Sequence, residues 1–204
     1  MPWHTLTRTA AVVATVVSLA AGTAAAAPSP SHQEGRHRPA HGWPQNLIDR
    51  SPDLVQPKAL TVDRSIGTRR AAQEVRLAQQ LYTFWNTGQQ RYLDAAVDPR
   101  FKDDTLPPGR PQGPAGLLFA SRNFRAAVPD LSCELSDVLV TGDEITARLV
   151  FRGHFTGTFE GVRGQGRRIE FNAIDIQHVG TDRIVEDWHI EDNEALLTQL
   201  GVHG

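Results

Sequence analysis

The feature that most constrains the fold of this chain is a change in the spacing of its apolar residues near Asp130. Before this point apolar residues recur every three or four positions, which is typical of amphipathic helices. After it they alternate with polar residues, as Ile145, Ala147, Leu149 and Phe151 do, which is typical of half-buried strands. Helices followed by a run of strands predict an α+β fold.

Three helices are predicted before this change, each from its apolar spacing and from the residues that end it. The first ends at Asn86-Thr87-Gly88, because glycine readily ends a helix. The second is short and ends near Pro99. The third begins at Pro114, which fits the first turn of a helix, and ends before Pro129. Residues 100–112 are predicted to be a loop.

Glycine-containing turns divide the second half of the chain into four long strands. These turns lie at Gly142-Asp143, Gly161 to Gly166 and Gly180-Thr181-Asp182, and a short helix capped by Gly201 closes the chain. A sheet of such long strands must twist and coil. We therefore expect a cone-shaped barrel, with the N-terminal helices packed on a curved four-stranded antiparallel meander. Ligand sites tend to lie in concave places of this kind.

Residues 1–27 have the pattern of a secretory signal peptide. Arg8 is their only charged residue, an apolar run extends from Ala10 to Ala21, and small residues precede Pro28. The run is shorter than the ~20 apolar residues of a membrane-spanning helix, so a cleavable signal peptide is favoured over an anchor. We therefore expect a secreted protein that has no membrane span in its mature form.

Residues 28–67 are rich in proline, serine, histidine and charge, and their apolar residues follow no period. This composition predicts a disordered linker, because it cannot bury enough surface to offset the entropy of ordering. His32, His37 and His41 could bind a metal weakly, but a solvated linker is the simpler interpretation. The folded domain is then expected over residues 68–204.

The net charge argues against a nucleic-acid-binding protein, and the cysteine content excludes a disulfide-stabilised domain. The formal net charge is −2 and becomes −3 without residues 1–27, so no basic excess favours nucleic acid as a partner. Cys133 is the only cysteine, which excludes an intramolecular disulfide and requires a packed core. The sequence has neither the histidine spacing of zinc proteases nor a Gly-x-Ser-x-Gly turn, and no metal site is predicted in the domain.

Several motifs together resemble the SnoaL-like polyketide cyclases (ester cyclases) of the nuclear-transport-factor-2-like superfamily, over about residues 70–201. In chain order they are Phe84-Trp85-Asn86-Thr87-Gly88, Val97-Asp98-Pro99-Arg100-Phe101, Gly113-Pro114, Phe124-Arg125-Ala126-Ala127-Val128-Pro129-Asp130-Leu131, Gly142-Asp143, Arg152-Gly153, Thr156-Gly157-Thr158-Phe159-Glu160-Gly161, Ile174-Asp175-Ile176, Arg183-Ile184-Val185-Glu186-Asp187-Trp188 and Leu196-Leu197-Thr198-Gln199-Leu200-Gly201. Each motif is loose, but their order and spacing are fairly specific.

The resemblance implies a cone-shaped fold and a reaction. Characterised members of the family close a ring of an aromatic polyketide by intramolecular aldol condensation, with acid/base residues and no cofactor. It also implies a small hydrophobic or aromatic ligand and a homo-oligomer, either a dimer or a tetramer. Fold does not fix function, however, because this superfamily also hosts isomerases, dehydratases and binding proteins.

The last predicted hairpin points to a specific pair of residues. If its turn centres on Asp182, Asp175 lies opposite His189 and shares a face with it. A carboxylate beside one ring nitrogen would leave the other nitrogen free to take a proton from a carbon next to a carbonyl. The resemblance points to the same two positions, but with a carboxylate at 189 and a histidine at 175, so the pair is exchanged here. An exposed ion pair between the strands is the plain alternative.

The same register predicts the two faces of the hairpin. One face carries the apolar residues Ile174, Ile176, Trp188 and Ile190. The other carries the mainly polar set Asp175, Gln177, Val185, Asp187 and His189.

Candidate substrate-binding residues come from the aromatic positions and from the resemblance. They are Asp103, Tyr82, Trp85, Phe119, Phe124 and Phe155. Asp103 falls where the family has a polar pocket residue, and Phe155 falls where it has a histidine. Plain core packing is the alternative for each aromatic residue.

Three functions therefore remain open. The chain is a cyclase or isomerase that uses His189 and Asp175, or an extracellular binder of a small hydrophobic molecule, or a dimer module whose interface is the Trp188 face. Export favours the binder, because polyketides are normally assembled inside the cell.

Overall fold

The computed structural model describes residues 45–202. The signal peptide predicted at residues 1–27 lies outside the described residues, as do His32, His37 and His41. The four α-helices are α1, Thr68–Thr87; α2, Gln90–Ala96; α3, Pro114–Ala127; and α4, Asn193–Leu200. None of the helices within residues 45–202 combines the length and hydrophobicity needed to cross a membrane.

The helix ends follow the predicted signals. Gly88 ends α1 in the left-handed conformation, with φ 73°, and its N–H bonds to the carbonyl of Phe84. Pro114 occupies the first turn of α3. The side chain of Asp192 accepts a hydrogen bond from the backbone N–H of Ala195 and so caps α4.

In the described part of the chain, eight strands form two sheets. They are β1, Ala59–Val62; β2, Val97–Asp103; β3, Ser132–Thr141; β4, Glu144–Phe155; β5, Thr158–Phe159; β6, Val162–Arg163; β7, Arg167–Val179; and β8, Ile184–Glu191. The large sheet has the order β1-β3-β4-β7-β8-β2, and β5 and β6 form a separate small hairpin. Neighbouring strands from β3 to β8 in this sheet are antiparallel, which confirms the four-stranded meander.

The sheet is wider than predicted, because β1 and β2 extend it at its two edges. β1 pairs in parallel with β3, and β2 pairs in parallel with β8. Residues 97–103, which are predicted to be the end of a helix and the start of a loop, form β2 instead. The residue before a proline favours extended backbone, and an edge strand tolerates Pro99 because it needs fewer ladder hydrogen bonds.

Residues 45–67 are folded, so the prediction of a disordered linker is wrong for this part; residues 28–44 lie outside the described residues. Leu47, Ile48, Leu54 and Leu60 are buried in the core. The buried side chain of Gln79 on α1 also binds this segment, accepting from the N–H of residue 49 and donating to the carbonyls of residues 49 and 55. Such irregular contacts leave no periodic signal in the sequence.

The register of the β7–β8 hairpin is the predicted one. Asp175 lies opposite His189, Ile176 opposite Trp188 and Gln177 opposite Asp187. An irregularity after residue 178 brings Ile184, rather than the predicted residue 185, into the core.

The two faces of this hairpin have unusual environments. The polar face is buried, and Asp175, Gln177 and Asp187 are at most 7% exposed. The apolar face is open, and Ile176 and Trp188 are 39% and 38% exposed. Burial of polar side chains costs free energy unless they are hydrogen-bonded, and within residues 45–202 Oε1 of Gln177 and Oδ1 of Asp187 have no partner, so this face is a candidate functional site. Use of the apolar face as a subunit interface stays a prediction.

Candidate active site

A cavity of about 560 Å³ lies on the concave side of the sheet. Its wall comes from β4, β7 and β8, and α1, α3, α4 and the loop at residues 107–110 complete it. The volume falls within the range of small-molecule sites. The cavity has an aromatic part and a polar part.

The aromatic part is built around two stacked rings. Phe151 and Phe171 lie opposite each other on β4 and β7, with ring centroids 5.0 Å apart and planes 12° apart. Trp85 meets Phe151 edge-on at 6.2 Å, and Phe124 meets Phe171 edge-on at 5.6 Å. Together these rings offer a broad apolar surface suited to a flat ligand.

The polar part continues the same strand faces. Residues two apart on a strand point to one side, so the face of β7 that carries Phe171 leads to Asp175. On β8 the corresponding face carries Asp187, His189 and Glu191, and all of these residues line the cavity. Four ionisable groups are therefore gathered beyond the aromatic rings.

Both ring nitrogens of His189 are held by carboxylates. Nδ1 lies 2.8 Å from Oε1 of Glu191, and Nε2 lies 3.2 Å from Oδ2 of Asp103. Burial lowers the pKa of His189, but the Glu191 hydrogen bond and the charges of Glu191, Asp187 and Asp103 outweigh it and raise the pKa to about 9. The ring is thus an imidazolium at neutral pH, with no free nitrogen to accept a proton.

Asp103 lies behind His189 and not on the cavity wall. It is 4% exposed, and its Oδ1 accepts a hydrogen bond from the N–H of Thr105. The side chain of Gln112 bonds both backbone groups of Asp103, and Nη1 of Arg110 lies 3.6 Å from its Oδ2. Asp103 therefore orients His189 from outside the cavity lining, and its predicted contact with a ligand stays a prediction.

Asp175 is a buried carboxyl group in the polar part of the cavity. Burial raises its pKa, the charge of His189 and a hydrogen bond from Tyr82 partly offset this, and the result is about 7. Oη of Tyr82 donates to Oδ2 of Asp175 over 3.1 Å. Asp175 and His189 share a face of the sheet, as predicted. Within residues 45–202 no hydrogen bond joins them, so His189 influences the pKa of Asp175 through its charge.

Asp187 also lines the polar part of the cavity, although it is not among the predicted site residues. It is 4% exposed, and within residues 45–202 its Oδ1 has no hydrogen-bond partner. Burial, and then the charge of Asp175, raise its pKa well above the usual value. The predicted register placed Asp187 on the correct face, and that alternation was the signal that could have identified it.

The other predicted ligand contacts divide into two groups. Trp85, Phe119 and Phe124 line the cavity, and Phe119 is 46% exposed. Tyr82 and Phe155 are buried in the core away from the lining. Tyr82 reaches the site through its hydrogen bond to Asp175, and the predicted ligand contact of Phe155 stays a prediction.

Phe171 and Glu191 also line the cavity, although neither is among the predicted site residues. The strand alternation gives both positions once the inner face of the sheet is known. Within residues 45–202 no group of three or more histidine, cysteine or acidic side chains is arranged to hold a metal ion.

The family model of the SnoaL-like polyketide cyclases matches residues 75–200. This span includes every residue that lines the cavity. Comparison with curated proteins gives no match.

The solved structures that are similar to the chain include those of three bacterial proteins. A candidate polyketide cyclase from Bacillus cereus is 43% identical with a TM-score of 0.70, over 77% of this chain and 99% of that one. TsrD from Streptomyces laurentii is 29% identical with a TM-score of 0.59, over 69% and 98%. IdmH from Streptomyces antibioticus, also described as a candidate polyketide cyclase, is 32% identical with a TM-score of 0.56, over 62% and 96%.

Proposed function

The chain belongs to the SnoaL-like polyketide cyclase family, and we propose that it is a cofactor-independent cyclase or isomerase that acts on a carbonyl compound. Family membership supports an activity of this general type. The observation that carries the proposal is Asp175, a buried carboxyl with a pKa of about 7 at the polar end of an aromatic cavity. Perturbed carboxyls in clefts are good candidates for acid/base catalysis.

Asp175 is the proposed general base. A base works best when its pKa lies near the working pH, because it is then available and still strong enough to take a proton. The carboxylate would remove a proton from a carbon next to a carbonyl of the ligand. A general base of this kind typically increases the rate of the reaction by a factor of about 10²–10⁴.

His189 is the proposed electrostatic partner and not the base. Its ring carries a proton on each nitrogen, and Glu191 and Asp103 fix its position. A fixed positive charge beside the reacting carbonyl favours the enolate that forms when the proton leaves. The two members of the predicted pair therefore keep their places but exchange their roles.

An intramolecular aldol reaction needs no further reactant. Asp175 takes the proton, the enolate carbon attacks a second carbonyl of the same molecule, and a carbon–carbon bond forms. The new alkoxide then takes the proton back from Asp175, so the enzyme returns to its starting state. The aromatic part of the cavity supports a polyketide-like substrate, because flat rings stack on Phe151 and Phe171.

A non-catalytic binder is the second candidate function. The aromatic surface favours it, since stacked and edge-on rings hold a flat apolar molecule without any chemistry. This reading needs no role for the perturbed Asp175.

The experiment that separates the two candidates compares wild type with Asp175→Asn. Aromatic β-dicarbonyl esters serve as probes, and NMR follows both deuterium exchange at the acidic carbon and ring closure. The enzyme reading predicts a loss of about 10²–10⁴ in the rate with binding retained. If wild type accelerates neither process over buffer, the binder reading is favoured.

We also propose that residues 1–27 direct export. The support is the charge and apolar pattern of the sequence. N-terminal sequencing of the protein recovered outside the cell tests this. A mature N-terminus just after residues 25–27 is expected, and an intact residue 1 on a cell-associated protein would contradict it.

A further inference from the structure

Two buried oxygen atoms without partners lie on residues that face each other. Within residues 45–202, Oε1 of Gln177 and Oδ1 of Asp187 have no hydrogen-bond donor. The two residues are 0% and 4% exposed and are directly paired between β7 and β8. Paired residues share a face, with Cβ atoms about 4.5–5.5 Å apart. Two unsatisfied acceptors in this position are costly and require an explanation.

A single proton satisfies both oxygens. Oε1 of a glutamine only accepts, whereas a carboxyl group donates once it is protonated. With its proton on Oδ1, Asp187 would donate to Oε1 of Gln177, the residue opposite it on β7. One O–H would then satisfy both of the unpartnered oxygens.

The opposite end of the same amide continues the connection. Nε2 of Gln177 donates to Oη of Tyr82 over 2.5 Å. Tyr82 has one hydroxyl proton, which it donates to Oδ2 of Asp175 over 3.1 Å. In this arrangement Gln177 and Tyr82 each accept a hydrogen bond from one neighbour and donate one to the next, and Asp175 accepts the last.

We propose that a one-way hydrogen-bond chain runs from Asp187 to Asp175, with the proton on Asp187 and the negative charge on Asp175. Tyr82 and Gln177 are then positioning residues of the chain. The catalytic meaning of the chain rests on the proposed function, because it explains which carboxyl is the base. The location of the proton does not depend on that function.

The opposite direction is the competing arrangement. If the Gln177 amide turned over, Nε2 would donate to Asp187 and Oε1 would accept from Tyr82. The hydroxyl of Tyr82 could then no longer donate to Asp175, which would have to hold the proton. The two directions place the proton on different carboxyls and are therefore distinguishable.

The surrounding charges favour the proposed direction. The titratable and charged groups near the two carboxyls are Tyr82, Asp103, Arg110, Cys133, His189 and Glu191. Of the two cations in this set, Arg110 and His189, His189 is paired directly with Asp175 and stabilises its charged form. In agreement, the pKa of Asp175 is raised to about 7, whereas burial and the Asp175 charge raise that of Asp187 well above its usual value.

The chain gives the base a defined geometry. One oxygen of Asp175 is held by Tyr82, so the carboxylate has a fixed orientation toward the cavity. Hydrogen bonds in series also polarise one another. The neutral Asp187 avoids a second negative charge beside the base, which would otherwise raise the pKa of Asp175 further.

The test is a carboxyl-carbon NMR titration of the full chain labelled at aspartate, with the signals assigned from single Asp→Asn variants. Asp187 is expected to lose its proton at a higher pH than Asp175. If Asp187 titrates at the same pH as Asp175 or below it, the proposal is overturned. The wild-type titration requires no substrate, so absence of turnover would count against the proposed function and leave this result untouched.

Two substitutions at Asp187 and one at Tyr82 test the role of the donor. Asp187→Asn keeps an N–H donor for Gln177 and is expected to leave the titration of Asp175 unchanged. Asp187→Leu removes the donor and is expected to raise the pKa of Asp175. Tyr82→Phe removes the last hydrogen bond, which should leave about tenfold less Asp175 carboxylate at a given pH below its pKa. If Asp187→Asn and Asp187→Leu changed the pKa of Asp175 equally, Asp187 would act as a carboxylate and not as a donor. That result would contradict the proposed hydrogen-bond chain.

Discussion

Nδ1 of His189 lies 2.8 Å from Oε1 of Glu191. This contact, with Asp103 on the other nitrogen, makes His189 a buried cation. A histidine beside a carboxylate is commonly interpreted as a base. Here a second carboxylate occupies the nitrogen that the base would need, and the role of base passes to Asp175.

Glu191→Gln should lower the pKa of His189. The hydrogen bond and charge of Glu191 are the largest influences that raise this pKa to about 9, whereas burial alone lowers it. An NMR titration of the ring nitrogens measures the effect. Glu194→Gln is the control, because Glu194 is exposed in the same region of the chain and should leave the titration unchanged. An unaltered His189 titration in Glu191→Gln would contradict the assigned contact.

The stability of the fold should decrease as the pH rises from about 6.5 to 9. The folded-state pKa of His189 is raised above 6.5, so its stabilising effect is complete below 6.5 and is lost as the pH passes about 9. At 1.36 kcal/mol for each pKa unit, the loss is on the order of 3 kcal/mol. Asp175 acts in the same direction but at lower pH: its pKa is raised from 3.8 to about 7, so its contribution is complete below 3.8 and is lost as the pH rises to about 7.

Urea unfolding at a series of pH values checks this prediction. Wild type should lose stability across the range, and His189→Gln should show a flatter dependence. If the stability of His189→Gln depended on pH as strongly as that of wild type, other groups would control the pH dependence and the prediction would be wrong. His154, which pairs with Asp130 at the surface, provides the matched control as His154→Gln.

Phe171→Leu should weaken the binding of a flat aromatic ligand by about five- to tenfold, the value of one aromatic pair. Phe171 lines the cavity and stacks on Phe151, so its ring contributes to the ligand surface. Leucine retains much of the volume, which limits the loss of stability. Calorimetric titration with a fused-ring ketone measures the affinity. Phe155→Leu is the control because Phe155 is buried outside the lining, and equal losses in both variants would count against the assigned surface.

Much of the fold could be predicted because local signals agreed with one another. The change of apolar spacing near Asp130 separated helices from strands, and the turn at Asp182 fixed the register that brings Asp175 opposite His189. β2 was not predicted because an edge strand that contains a proline shows no clear alternation of apolar and polar residues. Residues 45–67 escaped because they are ordered by single contacts, such as those of Gln79.

The site was only partly predictable. Strand alternation places Asp175, Asp187 and His189 on one face, but it does not say which face is buried. The contact between Asp103 and His189 joins residues 86 positions apart through the pairing of β2 with β8. Local sequence carries no signal of such a contact, so the charged state of His189 and the role of Asp187 emerge only from the folded structure.

The pH dependence of kcat/KM tests the central claim, that Asp175 is the base and His189 the cation, most directly. The rate on an aromatic β-dicarbonyl substrate should rise as Asp175 loses its proton near pH 7 and fall as His189 loses its proton near pH 9. Asp175→Asn should abolish the rising limb along with most of the activity, whereas Asp182→Asn, in the turn of the same hairpin, should leave the profile unchanged. A rising limb that persists in Asp175→Asn at an undiminished rate would contradict the account.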